Sequence, residues 1–130
     1  MASAEALADL DYAYLTTTGR MTGRPHRIEI WFALHEGVVY LLSGSRERAD
    51  WVRNIEVSPT VTIEIGGRRT TTEARVLAPG SRADALARRL LVSKYSARDT
   101  QELTGWGREA LAIALDWEAG ARSAPATEPR

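Results

Sequence analysis

Stretches in which apolar and polar positions alternate recur along the chain, and this is the pattern of a β-strand with one buried face. The clearest example places Ile28, Ile30 and Phe32 on one side of an extended segment. Strands are predicted over 12–18, 27–35, 38–42, 61–65, 70–77 and 111–116. Glycine-containing turns at 35–37 and 66–67 join neighbouring strands into hairpins.

Helical spacing of apolar residues predicts two substantial helices and two short ones. One helix is predicted over 46–57, with Ser43 or Ser45 as its cap. The other helix begins after Ser81. Ser81 and Asp84, three residues later, have the spacing of a capping box, with aspartate in place of glutamate. Short helical segments are predicted within 1–10 and 99–109.

Hairpins, rather than a regular alternation of strands and helices, connect these elements, which argues against a parallel doubly wound sheet. The predicted fold class is therefore α+β, an antiparallel barrel of about six strands with flanking helices. The 130 residues fit one domain, which we place at 1–118. Residues 119–130 are small, polar and proline-bearing, a composition that predicts a disordered tail.

Composition narrows the possible functions. Basic and acidic side chains number 17 each, and a net charge of zero argues against binding to nucleic acid. The chain has no cysteine and two histidines, so we expect no metal site. No apolar run approaches the roughly 18 residues of a membrane-spanning helix. No signal peptide is recognisable, and the expected compartment is the cytoplasm.

Two polar loops carry the residues best suited to hold an anion. The loop over 18–27 reads Thr-Gly-Arg-Met-Thr-Gly-Arg-Pro-His-Arg, and the loop over 43–48 reads Ser-Gly-Ser-Arg-Glu-Arg. Glycine lets backbone N–H groups approach a phosphate closely, arginine offers a planar pair of donors, and a helix N-terminus adds oriented N–H groups. The alternative is that these arginines are solvated loop charges.

The order and spacing of several segments resemble a known family. Residues 15–20 read Leu-Thr-Thr-Thr-Gly-Arg, residues 23–27 read Gly-Arg-Pro-His-Arg, and Trp-Val-Arg-Asn at 51–54 precedes Ser-Pro at 58–59. This combination is similar to the deazaflavin-dependent nitroreductase family. That family belongs to the split β-barrel flavin- and deazaflavin-dependent reductases, which also include the pyridoxamine 5′-phosphate oxidases. The resemblance runs from about residue 12 to about residue 116.

The resemblance implies a split barrel that binds the deazaflavin coenzyme F420, or in some branches FMN, in a groove beside the sheet. The cofactor is then expected to transfer hydride to a small organic acceptor such as a quinone or a nitro compound. The positions that match cofactor contacts in the family are Arg20, Thr22, Gly23 and His26 in the first loop, Leu42 and Ser43 beside the ring system, and Trp51 and Asn54 on the following helix. On charge grounds, the predicted partners of the cofactor's oligoglutamate tail are Arg46, Arg48 and Arg53.

Met21 lies in the same predicted cofactor loop and departs from the family pattern, because many relatives have lysine or arginine after Gly-Arg. The anion site thereby loses one positive charge, which leaves FMN and haem open as alternative ligands. Two other functions therefore stay open. One is an FMN-dependent oxidase or reductase on the same barrel, and the other is a barrel that binds flavin or haem without turnover.

Few side chains are suited to assist hydride transfer. Ser43 and Tyr95 are candidate proton donors, although core packing is the favoured explanation for Tyr95. Trp31 and Trp106 are candidates to line an acceptor pocket, with burial in a core or a dimer interface as the alternative. A homodimer is expected because an open barrel edge needs covering.

Overall fold

Seven strands and four α-helices make up the part of the chain that the computed structural model describes, residues 4–98 and 103–117. In chain order the elements are α1 (Ala4–Ala8), β1 (Ala13–Thr18), β2 (Pro25–Ile30), β3 (Ala33–His35), β4 (Val38–Ser43), a 3₁₀ helix (Arg46–Arg48), α2 (Asp50–Val57), β5 (Thr60–Ile65), β6 (Arg68–Val76), α3 (Arg82–Ser96), α4 (Thr104–Glu109) and β7 (Leu111–Asp116).

The strands form one curled sheet in the order β2-β1-β5-β6-β7-β4-β3, and every pairing is antiparallel. Hairpins join β1 to β2, β3 to β4 and β5 to β6. The predicted α+β class and antiparallel split barrel are therefore confirmed, with seven strands instead of about six.

Apolar side chains pack on both sides of part of this sheet. Inside the curl, residues such as Leu15, Ile63 and Ile113 are fully buried in the main core. On the opposite side of β4 and β7, helix α3 covers a second core, where β7 presents Ala112 and Ala114. Small side chains at these positions let the helix lie close to the sheet. Strands β4 and β7 are consequently buried along nearly their whole length.

The strand predicted over 27–35 is wrong in one respect, because it is broken at Trp31 and Phe32 into β2 and β3. The backbone N–H of Phe32 donates to the Tyr95 hydroxyl at 3.0 Å. The carbonyl of Phe32 accepts from the Tyr95 hydroxyl at 3.1 Å and from Lys94 Nζ at 3.0 Å. Side chains of α3 thus take the bonds that a strand neighbour would otherwise make, which explains the seventh strand.

The helix predicted over 46–57 is also divided. A 3₁₀ helix over Arg46–Arg48 is followed by Ala49 in an extended conformation, and only then does α2 begin. Neither predicted cap is formed: the Ser43 hydroxyl donates to the Arg46 carbonyl at 3.0 Å, and Ser45 makes no side-chain capping bond. The helical spacing of the apolar residues could not reveal this break.

Other predicted elements are confirmed. The Ser81 hydroxyl accepts from the Asp84 N–H at 3.1 Å, so Ser81 caps α3 as predicted. The Asp84 carboxylate accepts from the Gly80 N–H at 3.1 Å, one residue before the N–H that a capping box would use. Helix α4 lies within 99–109, and α1 within 1–10. The tail predicted over 119–130 lies outside the described residues. No helix within the described ranges is long and apolar enough to cross a membrane.

Replacing Tyr95 by phenylalanine should destabilise the fold. The single proton of this buried hydroxyl is shared between the carbonyls of Phe32 and Asp11, the latter at 2.7 Å, and its oxygen accepts from the buried N–H of Phe32, which would lose its partner. We expect the free energy of unfolding to fall by about 2 kcal/mol, measured by urea denaturation. Tyr14→Phe is the matched control, because that hydroxyl bonds Glu29 in an exposed position. Equal effects of the two substitutions would contradict the role given to Tyr95.

Candidate functional site

The loop between β1 and β2 folds back on itself through its glycines. The N–H of Gly19 donates to the Arg24 carbonyl at 2.7 Å, and the N–H of Gly23 donates to the Gly19 carbonyl at 2.8 Å. Gly23 has a φ of 76°, a conformation that side chains disfavour. Within the turn, the Thr22 hydroxyl accepts from the Arg24 N–H at 3.1 Å.

Gly19 is needed for a second reason, which is close packing. A Cβ atom at this position would lie 2.7 Å from Nε2 of His26, and real Cβ atoms do not approach other atoms so closely. The imidazole therefore lies against the backbone of Gly19. This contact brings His26, at the start of β2, to the same side of the loop as the residues that follow Gly19.

Arg20 is held by a buried amide on helix α2. The Oδ1 atom of Asn54 accepts from the backbone N–H of Arg20 at 3.1 Å and from its guanidinium at 2.9 Å. The Nδ2 atom of Asn54 donates to the Thr17 hydroxyl on β1 at 3.0 Å. Asn54 and Thr17 are both buried. One amide thus joins α2 to β1 and fixes the direction of the Arg20 side chain.

Asp50 adds an ion pair to the same guanidinium, at 3.2 Å from Nη2. The Asp50 side chain is 85% exposed, whereas that of Arg20 is 25% exposed. Exposed ion pairs contribute little to stability. The part-buried bonds to Asn54 therefore determine the position of Arg20, and Asp50 is a solvated partner.

A cleft of about 230 Å³ opens beside this network. Its walls are Gly19, Arg20, Met21, Thr22, His26, Asp50 and Asn54. Five predicted cofactor-binding residues are therefore brought together here, namely Arg20, Met21, Thr22, His26 and Asn54. Gly23 shapes the loop without lining the wall. The cleft is smaller than the 300–1,000 Å³ typical of whole-ligand pockets, so it suits one end of a larger molecule.

The other predicted residues do not line this cleft. Leu42 and Ser43 are buried at the end of β4, and Trp51 packs against the main core. The Arg46 guanidinium donates to the Glu109 carbonyl at the end of α4. Arg48 and Arg53 are exposed. The second polar loop contributes no residue to the wall of this cleft. Arg46 has a φ of 53°, and its side chain extends toward α4.

Two residues of the network were not predicted. Asp50 lies four residues before Asn54, so the two occupy one face of α2. Thr17 occupies an inward position of β1, where a polar residue stands out among Ala13 and Leu15. These periodicities are the signals in the sequence that could have found them.

A second polar and aromatic group lies on the other side of the sheet. The ring of Trp31 stacks on Tyr95 with centroids 4.1 Å apart, and meets Trp106 edge-on at 5.5 Å. A cavity of about 130 Å³ adjoins this stack and is lined by Asp11, Tyr12, Trp31, Tyr95 and Arg98. Trp106 also lies over Gly44, where a Cβ would be 3.4 Å from its ring.

The predicted proton donors are both engaged. Burial raises the pKa of Tyr95 to about 12, and its hydroxyl is bonded to backbone groups of Asp11 and Phe32. These contacts are those of the core-packing alternative. The Ser43 hydroxyl is buried and donates to a backbone carbonyl. Among the described residues, no other polar side chain of β4 lies beside it.

A family model described as F420H(2)-dependent quinone reductase matches residues 2–113. The chain belongs to the F420H2-dependent quinone reductase family. The resemblance to deazaflavin-dependent reductases is thereby confirmed. The reductase is accordingly an oxidoreductase of a family whose cofactor is coenzyme F420. The comparison with curated proteins finds no match.

Solved structures share the fold of the reductase at low sequence identity. An F420-H2 dependent reductase, FDR-A, is 19% identical, with 82% of this chain and 94% of that chain covered and a TM-score of 0.67. The haem storage protein HutZ from Vibrio cholerae is 19% identical over 88% and 86% of the two chains, with a TM-score of 0.63. A structure described as a domain-swapped dimer is 18% identical over 82% and 80%, with a TM-score of 0.63.

The cleft fits the anionic part of a deazaflavin cofactor. Arg20 supplies a guanidinium whose position is already fixed, and the turn around Gly23 leaves backbone free of side chains. The hydroxyl of Thr22 and the ring of His26 complete a wall of donors. The one carboxylate in the wall, that of Asp50, points largely into solvent and is paired with Arg20.

Proposed function

We propose that the reductase binds F420 with the cofactor's phosphate and acidic tail at the Arg20 cleft, and reduces a planar organic acceptor such as a quinone or a nitro compound. The observation that carries this proposal is the guanidinium of Arg20, which Asn54 fixes at the wall of a glycine-rich cleft. Reduced F420 supplies the hydride when bound.

The protein's part in the reaction is binding and orientation. Arg20 offers a fixed cation to the phosphate, and Gly23, which has no side chain, lets the phosphate approach the loop closely. Asn54 keeps Arg20 in place by two part-buried hydrogen bonds. Arg48 and Arg53 are exposed and supply positive charge on the solvent side, suited to a flexible acidic tail.

Arg20→Ala should weaken binding of F420 roughly 10- to 100-fold, because a charge-assisted hydrogen bond contributes about 1.5–3 kcal/mol. Fluorescence titration of the purified protein measures the dissociation constant. Affinity should also fall with added salt, since part of the attraction is between exposed charges.

Arg69→Ala is the control for this substitution, because it removes the same charge from an exposed position on β6 that pairs with Glu64. FMN and haem are titrated in parallel. Tighter binding of FMN or haem than of F420 would overturn the choice of cofactor. Equal affinity of Arg20→Ala and the unmodified protein would overturn the choice of site.

The acceptor is proposed to contact Trp31. This ring is half-buried, stacks on Tyr95 and lines the open cavity next to Tyr12. Planar aromatic acceptors gain from stacking on such a surface beyond the apolar area that they bury. The nearby ring of Trp106, over Gly44, connects this surface to the end of β4, where the resemblance places the ring system of the cofactor.

Trp31→Leu should raise the KM for a quinone roughly tenfold, whereas Trp31→Phe should raise it much less, since one stacked aromatic contact contributes about 0.5–1.5 kcal/mol. The dissociation constant of F420 should be unchanged in both variants. Steady-state kinetics with saturating reduced F420 measures the effect. A KM that is unaffected by Trp31→Leu would exclude this surface as the acceptor site.

We also propose that the reductase is a cytoplasmic homodimer. Strand β2 ends the sheet and has only β1 beside it among the described strands, so its outer edge is open to a second chain. One structure with this fold is described as a domain-swapped dimer. Light scattering should return about twice the chain mass of 14.3 kDa, and a mass near the single chain would refute the dimer. Cell fractionation tests the compartment.

A further inference from the structure

Helix α4 carries Trp106 and is poorly suited to form on its own. It has six residues, two of which are Gly105 and Gly107. Isolated helices shorter than about 12–15 residues are marginal in water, and glycine disfavours a helix interior. Leu103, which precedes the helix, has no side-chain oxygen with which to cap it. Contacts with other elements must therefore hold α4 in place.

Arg88 on α3 binds the C-terminal end of α4. Its Nη1 atom donates to the carbonyl of Gly107 at 2.9 Å and to that of Arg108 at 3.2 Å. Both carbonyls lie in the last turn, where a helix has no N–H partners of its own to offer. A cation at this end also interacts favourably with the helix dipole. Arg88 thus provides α4 with a C-terminal cap from another helix.

Asp84 fixes the direction of the Arg88 side chain. Its carboxylate accepts from Nε of Arg88 at 3.2 Å and from Nη2 at 2.9 Å, which leaves Nη1 for α4. Both side chains of this ion pair are largely buried. Burial raises the pKa of Asp84, but the hydrogen bonds from Arg88 and Gly80 outweigh burial and lower the pKa below its usual value. The carboxylate is therefore charged near neutral pH and holds the guanidinium by a paired, charge-assisted contact.

Arg46 binds the same end of α4 from a different element. Its guanidinium donates to the Glu109 carbonyl, which follows directly in sequence on the two that Arg88 binds. The backbone of Arg46 has a φ of 53°, a conformation that residues other than glycine seldom adopt. Strained backbone of this kind persists where the surrounding structure requires it. Here it directs the guanidinium to the end of α4.

The helix held in this way places Trp106 in two contacts. Its indole meets that of Trp31 with centroids 5.5 Å apart and 84° between the ring planes, and it also lies over Gly44. The next residue, Gly107, packs so closely on α3 that a Cβ atom there would overlap the side chain of Val92. A small displacement of α4 would therefore disturb the arrangement of the two indoles.

We propose that Arg46 and Arg88 are positioning residues for the reaction, because by capping α4 they fix Trp106 as a second wall beside the Trp31 surface to which the acceptor is assigned. This inference rests on the proposed function. The two indole planes are nearly perpendicular, so a planar acceptor that stacks on one ring meets the other ring at its edge. Each arginine acts through the backbone of α4 and through Trp106.

Fluorine NMR of the protein labelled with fluorotryptophan tests the position of Trp106 without F420 or acceptor. The chain has four tryptophans, and Trp106→Phe assigns the relevant signal. That signal should shift or broaden in Arg46→Ala and in Arg88→Ala. It should stay in place in Arg89→Ala, which removes the same charge from an exposed position on α3. Arg88→Lys keeps the charge but cannot bridge Asp84 and α4 together, so its effect should be intermediate.

Steady-state kinetics at saturating reduced F420 tests the consequence for the acceptor. Arg46→Ala and Arg88→Ala should each raise the KM for a quinone roughly three- to tenfold, the ratio that corresponds to one aromatic contact. In a Trp106→Leu background the same substitutions should have no further effect, whereas a general loss of stability would add to that of Trp106→Leu. Arg46→Ala leaves the pair of Asp84 and Arg88 intact, so it serves as the test if loss of Arg88 prevents folding.

Three results would overturn the proposal. These are an unmoved Trp106 signal in both alanine variants, an increase in KM that persists in the Trp106→Leu background, and a signal that moves while KM stays the same. In the last case Trp31→Leu separates two failures. An unchanged KM in Trp31→Leu means that the acceptor site itself is wrongly assigned, whereas a raised KM confines the error to Trp106 and its two arginines.

Discussion

The side-chain amide of Asn54 is the contact on which the cleft depends. It is buried, and its oxygen and nitrogen bond to different elements, Arg20 in the β1–β2 loop and Thr17 on β1. A buried amide of this kind is costly to leave unpaired, so the loop and the helix are fixed relative to each other. A flexible arginine would lose side-chain entropy on gripping an anion, whereas this one has lost it already on folding.

The break between β2 and β3 has a similar cause on the other side of the sheet. Lys94 and Tyr95 bind the backbone of Phe32, and the strand cannot continue through a residue whose N–H and carbonyl face a helix. The consequence is that Trp31 leaves the sheet and stacks on Tyr95. One pair of helical residues thus shapes both the fold and the aromatic surface.

The fold was largely predictable because its determinants are local. Alternation located the strands, and glycine turns located the hairpins; Ser81 and Asp84 located the start of α3. The two breaks, at Phe32 and at Ala49, were not predictable, because the apolar spacing runs through both without a change. The break at Phe32 is made by side chains that are 62 and 63 positions away in the chain. The spacing of neighbouring residues cannot predict contacts between residues so far apart in sequence.

The residues that the first polar loop contributes to the candidate site were predictable. The positions of the arginines in the second polar loop were not. Arg20, Thr22 and His26 were found because the motif is continuous in sequence, and Asn54 because the resemblance extends to the helix. Arg46 was misplaced, since its charge suggested an anion partner whereas its backbone conformation directs it to the end of α4. Charge alone does not specify the direction of a side chain.

We propose that Asn54 and Arg20 act as one unit in binding the anionic end of the cofactor. A double-mutant cycle on the dissociation constant of F420, with Arg20→Ala, Asn54→Ala and both together, measures the coupling between them. The double variant should bind F420 no more weakly than Arg20→Ala alone. Independent, additive losses would contradict it.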